Sequence, residues 1–282
     1  MSTTSSINGS ACAGYPGYWV TGLTLDPRGS SLYAGQGTSL DNCLSSFAVQ
    51  GDGSLAFQSS IDIGLATIWS LQFSPTNQVA YGAGCARMQW VLYAFQRSSD
   101  GQLISFSNLA PGVTLAIPPP NAGNVFVCPL ASAVSAKGYL AVAYSETSLD
   151  TYQNLSADIG IYQINASGTL TPVSYLANAT TFTTITALNF DPTGTYLAVA
   201  GQNGIETFNL NSNGTLSHIG SAVEPTISFI DARWDNNGYL YAISNAALYV
   251  FTSNSGVLSL AGTPYPIPAT SLAVLPVDSN QN

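Results

Sequence analysis

Charge is the scarcest property of this chain. Of 282 residues only 7% are charged, with 5 Lys and Arg against 14 Asp and Glu, a formal net charge of −9. Ordinary soluble domains carry about 25% charged residues. A phosphate-binding face needs clustered Lys and Arg, so nucleic-acid binding is excluded as a function class. Long apolar runs are also missing. None approaches the roughly 20 residues of a membrane-spanning helix. No helical periodicity longer than about two turns appears. Histidine occurs once, at His218, and no C-x-x-C spacing accompanies it, which argues against zinc. There is no G-x-S-x-G elbow, no phosphate loop of the form G-x-x-x-x-G-K-[ST], and no H-E-x-x-H. A lone carboxylate at Asp52 or Asp100 makes a poor calcium site. Neither a metal nor a cofactor is expected, and no signal peptide is visible after Met1.

What the chain has in abundance is turns. One series reads Asp26-Pro27-Arg28-Gly29, Ser74-Pro75-Thr76-Asn77, Ser135-Ala136-Lys137-Gly138, Asp191-Pro192-Thr193-Gly194 and Asp235-Asn236-Asn237-Gly238. Proline sets φ for the second turn position and glycine takes the left-handed one. Each turn runs into an apolar strand, such as Tyr196-Leu197-Ala198-Val199. A second series, Asp52-Gly53-Ser54-Leu55, Asp100-Gly101-Gln102-Leu103, Ser167-Gly168-Thr169-Leu170, Asn213-Gly214-Thr215-Leu216 and Ser255-Gly256-Val257-Leu258, interleaves with the first at spacings of 42 to 67 residues. Four strands per period indicate an all-β chain, a β-propeller of four-stranded antiparallel blades. Five full repeats are expected, followed by one terminal strand at Ser271–Leu275. The boundaries read as an N-terminal extension at 1–18, the propeller at 19–276 and a tail at 277–282.

The pattern of strand, (Asp/Ser)-Pro-x-Gly, strand, then Gly-x-Leu resembles the seven-bladed lactonase-type propellers, which include 6-phosphogluconolactonases and carboxymuconate-cyclising enzymes. The likeness runs from Trp19 to Pro276, and five repeats imply a truncated member. It implies a lactonase activity resting on an Arg-His pair in an inner strand and an Asn-Glu pair after the next. In the fourth repeat those places hold Thr186-Ala187 and Gly201-Gln202, so the catalytic pattern is lacking. His218 falls in an outermost strand, where a packing or surface role is expected.

Two groups of residues are candidates for binding. The connections between second and third strands read as long in the first three repeats (36–43, 83–90, 145–158). They carry Arg87, Trp90, Glu146, Asp150 and Tyr152, with Trp69 on a nearby inner strand. A cation, carboxylates and aromatic faces suit a sugar or small polar acid; the alternative is packing aromatics and solvated charges. The second group is Asp231 and Arg233, two apart on the innermost strand of repeat five and so on one face. They line a ligand channel or form a structural ion pair.

The cysteines Cys12, Cys43, Cys85 and Cys128 allow three pairings. On a propeller all four fall on one face, and Cys12–Cys43 and Cys85–Cys128 are the short-reach pairs; four unpaired buried thiols are the alternative. An even count and a weakly charged surface point to an extracytoplasmic, secreted setting. Five Asn-x-Ser/Thr sequons, at Asn8, Asn154, Asn165, Asn178 and Asn213, are about the number chance supplies in so polar a composition.

The expectation is a binding module acting through the long-loop face of repeats one to three on a small polar or sugar-like ligand or a protein partner. Self-association through an open blade edge goes with it. The alternative is a lactone hydrolase using Arg87, Glu146, Asp231 or Arg233.

Overall fold

A computed structural model describes residues 19–37, 42–64, 67–86, 89–108 and 124–274. The described residues form twenty strands and no helix. They fall into five four-stranded antiparallel sheets, each a meander in chain order. Blade one is β1 (Trp19–Leu25), β2 (Ser31–Gly37), β3 (Asn42–Val49) and β4 (Leu55–Gly64); blade two is β5 (Thr67–Phe73), β6 (Val79–Ala86), β7 (Gln89–Arg97) and β8 (Leu103–Asn108). Blade three is β9 (Val125–Val134), β10 (Tyr139–Ser148), β11 (Asn154–Ile164) and β12 (Leu170–Leu176). Blade four is β13 (Ile185–Phe190), β14 (Tyr196–Gly201), β15 (Gly204–Leu210) and β16 (Leu216–Val223); blade five is β17 (Phe229–Trp234), β18 (Leu240–Ser244), β19 (Leu248–Asn254) and β20 (Val257–Leu260). The chain divides into two compact units, 1–114 with 166–169, and 115–165 with 170–282.

The repeated turns are held by their own first residue. Asp191 Oδ1 accepts the backbone N–H groups of Thr195 and Tyr196, each at 2.7 Å, while Oδ2 accepts the Thr193 hydroxyl at 2.6 Å. Asp26 does the same for Ser30 and Ser31, and Asp235 for Asn237 and Tyr239. The carboxylate thus satisfies donors that the strand ladder leaves unpaired. Asp191→Ala leaves two half-buried N–H groups without their side-chain partner and lowers stability by about 1 kcal/mol, read by urea denaturation. Asp191→Asn, which keeps an acceptor oxygen, costs less.

Within each unit the blades pack through apolar faces. In the first unit Tyr33, Leu44 and Phe73 are buried together with Ile68, Leu71, Tyr93 and Phe95. In the second, Ile159, Ile161, Leu188 and Phe208 join blades three and four, and Ala198, Ile205, Phe229, Trp234 and Phe251 join four and five. Every blade carries a bulge between its first two strands, at Val20/Gly22, Ile68/Leu71, Ala143/Tyr144, Ile185/Ala187 and Phe229/Asp231. A bulge bends the strand and raises its twist. At two of them the extra threonine also ties blades together: Thr21 donates to the carbonyl of Ile68 at 3.2 Å, and Thr186 to that of Phe229 at 2.9 Å.

Two expectations change. Residues 271–274 form no strand; instead the backbone of Leu272 reaches the Asp231 carboxylate. The second-to-third-strand connections of the first three repeats are also shorter than the sequence implied: β2 ends at Gly37 and β3 begins at Asn42, and β6 ends at Ala86 and β7 begins at Gln89. Strand β10 runs on to Ser148 and β11 begins at Asn154, leaving a turn of 149–153. The polar Ser145 and Glu146 are buried strand residues.

Candidate functional site

The residues expected on the long-loop face fall in both units. In the first, Trp69 lies at the bulge of β5 and Trp90 on β7, opposite Cys85; Arg87 and Cys12 are outside the described residues. In the second, Glu146 sits on β10 with 2% of its surface exposed. It is a strand residue rather than a loop residue. On the same face of blade three, Tyr144 pairs with Asp158 across to β11, and the Tyr144 and Tyr162 hydroxyls are 2.7 Å apart. Burial pushes the Tyr162 phenol up to about 12. Burial, then the hydrogen bond and charge of Asp158, push up that of Tyr175. Asp150 and Tyr152 lie in the short turn, where Asp150 accepts from Asn124 Nδ2 at 2.6 Å. Tyr152 is 68% exposed with a φ of 56°, uncommon for a residue with a side chain.

His218 is more than a packing residue. Its Nε2 lies 2.8 Å from Glu206 Oε2. Glu206 is buried, and its other oxygen accepts both the N–H and the hydroxyl of Thr181, at 2.9 and 2.5 Å. No sequence signal marks the pair, because its members are 12 residues apart on neighbouring strands. The register supplies it: His218 pairs with Phe208, so Glu206 is its diagonal neighbour on one face.

Asp231 and Arg233 do come together. Arg233 Nε is 3.1 Å from Asp231 Oδ1, with 37% and 15% of the two side chains exposed. Burial raises the Asp231 carboxyl above its ordinary value, while Arg233 and the backbone N–H groups of Ala232 and Leu272 pull it down. A folded value above the unfolded one means that this group's stabilising contribution is fullest below about 3.8. It is lost as pH rises through the raised value. Asp231→Asn should flatten that limb of the stability–pH curve; an unchanged limb would show the carboxyl to be solvated.

The alternation of β17 places this pair on a definite face. Ala232 and Trp234 pack toward blade four, so Asp231 and Arg233 point the other way. Arg233 pairs with Tyr241 and Tyr241 with Val250, putting all three on the free face of blade five. A cavity of about 320 Å3 opens there, lined by Tyr241, Leu248, Val250, Ala261, Gly262, Thr263 and Tyr265. Its far wall is the segment after β20. Ala261 N–H donates to the Val250 carbonyl at 2.7 Å, Tyr265 exchanges two 2.9 Å bonds with Leu248, and Gly262 makes the crossing at a φ of 152°. The Tyr241 phenol is pushed up by burial and by Asp235, to which it donates at 3.3 Å. An apolar cavity with two phenols, beside a cation and a carboxyl on the same face, has the makeup of a small-ligand site.

No protein-family model and no curated protein matches the sequence. Solved structures do. A Lactobacillus plantarum protein superposes with a TM-score of 0.60 at 15% identity, over 87% of this chain and 71% of its own. A putative 6-phosphogluconolactonase from Bacteroides uniformis gives 0.53 at 17% identity, over 88% and 85%. At such identities the likeness is one of fold, the β-propeller of four-stranded antiparallel blades.

Proposed function

We propose that the chain is an extracytoplasmic binding module without catalytic activity, and that it takes a small polar acid or sugar-like ligand on the free face of blade five. One observation carries this reading: the part-exposed Arg233 guanidinium, oriented by Asp231, shares that face with the cavity between Tyr241 and Tyr265. A guanidinium held by a neighbouring carboxylate presents its remaining N–H donors in a fixed direction, which suits a ligand carboxylate. The extracytoplasmic setting is supported by Cys43, Cys85 and Cys128, each of which is disulfide-bonded. The long-loop face of the first three repeats was the sequence's preference. The turn at 149–153 exposes Asp150 and Tyr152 there, whereas blade five combines a cavity with charge.

A second reading follows from the raised Asp231 carboxyl and from the naming of the Bacteroides uniformis neighbour as a putative 6-phosphogluconolactonase. A partly buried acid beside a cation suits proton transfer during lactone hydrolysis. Calorimetric titration with D-gluconate, paired with an assay of glucono-δ-lactone opening, separates the two. The binding reading predicts gluconate uptake, weakened about 10- to 100-fold by Arg233→Ala, with lactone opening at its uncatalysed rate. Uptake that Arg233→Ala leaves unchanged overturns the site. Accelerated opening lost in Asp231→Asn overturns the binding-only reading in favour of the hydrolase.

A further inference from the structure

The cavity on blade five is short of hydrogen-bonding groups. Its floor is Leu248 and Val250, and Ala261 and Gly262 form part of its far wall. The main-chain groups of that wall are already engaged with β19. The Ala261 N–H is on the Val250 carbonyl, and the N–H and carbonyl of Tyr265 are on those of Leu248. Pro264, between them, has no N–H. Three lining residues carry hydroxyls, Tyr241, Thr263 and Tyr265, and that of Tyr241 donates to Asp235. A ligand that brought several hydroxyls here would exchange water for few partners, at a cost for each group left unpaired. A flat apolar group gives up no hydrogen bonds and gains the burial.

The two phenols point the same way. Tyr241 stands on β18 and Tyr265 on the wall beyond β19, where it is 58% exposed. A ring seated between them meets aromatic faces and edges, which attract one another beyond simple burial. Charge sets the other end of the ligand. The second unit holds two Lys and Arg residues, Lys137 in the first turn of blade three and Arg233. Two carboxyls share the neighbourhood of Arg233: Asp231 on its Nε, and Asp235 on the Tyr241 hydroxyl. One anionic group on a ligand therefore finds the remaining guanidinium N–H donors, and a second finds carboxyls instead. Arg233 pairs with Tyr241, one strand spacing of about 4.8 Å away. A short linker between ring and carboxylate spans that offset.

We infer that the ligand of this site is an aryl-substituted monocarboxylate rather than a polyhydroxy or phosphorylated acid. Its ring lies between Tyr241 and Tyr265 over Leu248 and Val250, and its carboxylate lies on Arg233. The inference rests on the blade-five site proposed above and narrows the acids which that reading allows.

The test is calorimetric titration of the full chain with 3-phenylpropionate, D-gluconate and 6-phosphogluconate, with folding of each variant checked by thermal melts. Burial of the ring should make 3-phenylpropionate bind about 10- to 100-fold tighter than gluconate, and 6-phosphogluconate should bind no tighter than gluconate. Tyr265→Ala removes an exposed side chain and leaves its backbone bonds to Leu248 in place. It should weaken 3-phenylpropionate about 3- to 10-fold and leave gluconate unchanged, whereas Arg233→Ala should weaken both. Gluconate binding as tightly as 3-phenylpropionate, or 6-phosphogluconate binding tighter than either, overturns the inference. The site itself survives that result if Arg233→Ala still weakens the binding. An equal loss of both acids in Tyr265→Ala overturns the placing of the ring. Binding of neither acid, or binding that Arg233→Ala leaves unchanged, overturns the site and the inference with it.

Discussion

Arg97→Ala lowers the stability of the chain by about 3–5 kcal/mol, the cost of breaking a buried ion pair from one side. Arg97 Nη2 lies 2.7 Å from Asp26 Oδ2, with 4% and 0% of the two side chains exposed. The rest of the guanidinium is also engaged. Nε donates to the Tyr33 hydroxyl at 2.5 Å, Nη1 to the Asn77 carbonyl at 3.2 Å, and Nη2 to Ser31 Oγ at 3.2 Å. Asp26 in turn holds the first turn of blade one through Ser30 and Ser31. One cation from the end of β7 therefore locks a turn of blade one and the Tyr33 hydroxyl that meets Gly101. Removing it strands the Asp26 carboxylate in a dry site, where a lone charge is far more costly than a missing contact. Asp26→Asn combined with Arg97→Ala removes both charges and should cost clearly less than the two single changes summed. Urea denaturation of the four proteins checks this, and a loss under about 1 kcal/mol for Arg97→Ala would show the pair to be solvated.

Reduction of the disulfides is the other large perturbation. Cys43, Cys85 and Cys128 are all bonded, which answers the choice between bridges and free thiols for those three. Under non-denaturing conditions iodoacetamide should leave them unlabelled until reductant is added. Their loss should then cost about 2–5 kcal/mol per bridge, because each bridge limits the freedom of the unfolded chain. Non-reducing peptide mapping identifies the partners, which the sequence expects to be Cys12–Cys43 and Cys85–Cys128. Labelling of Cys43, Cys85 or Cys128 in the unreduced protein contradicts the bonded state. An unchanged melting temperature after complete reduction contradicts the stability claim.

The architecture was legible because its signals are local. Asp26, Asp191 and Asp235 announce their turns within four or five residues, and the glycines at 101, 214 and 256 announce the hairpins. The Asp231–Arg233 pair was legible for the same reason, being two apart on a strand; its direction was not. Ala232 and Trp234 pack on blade four, which sends Asp231 and Arg233 to the opposite face. Polar composition misled at 145–158. Ser145 and Glu146 read as loop residues, yet both are buried strand residues. The Glu206–His218 pair and the cavity wall at Ala261–Tyr265 depend on register between strands, which no local pattern specifies.

The ligand site on blade five is the central claim, and amide hydrogen exchange with and without D-gluconate tests it most directly. The account predicts added protection along 231–241 and 248–265, where the cavity and its cation lie, with no change at the 149–153 turn. Protection confined to 149–153, or none anywhere at saturating gluconate, would contradict it.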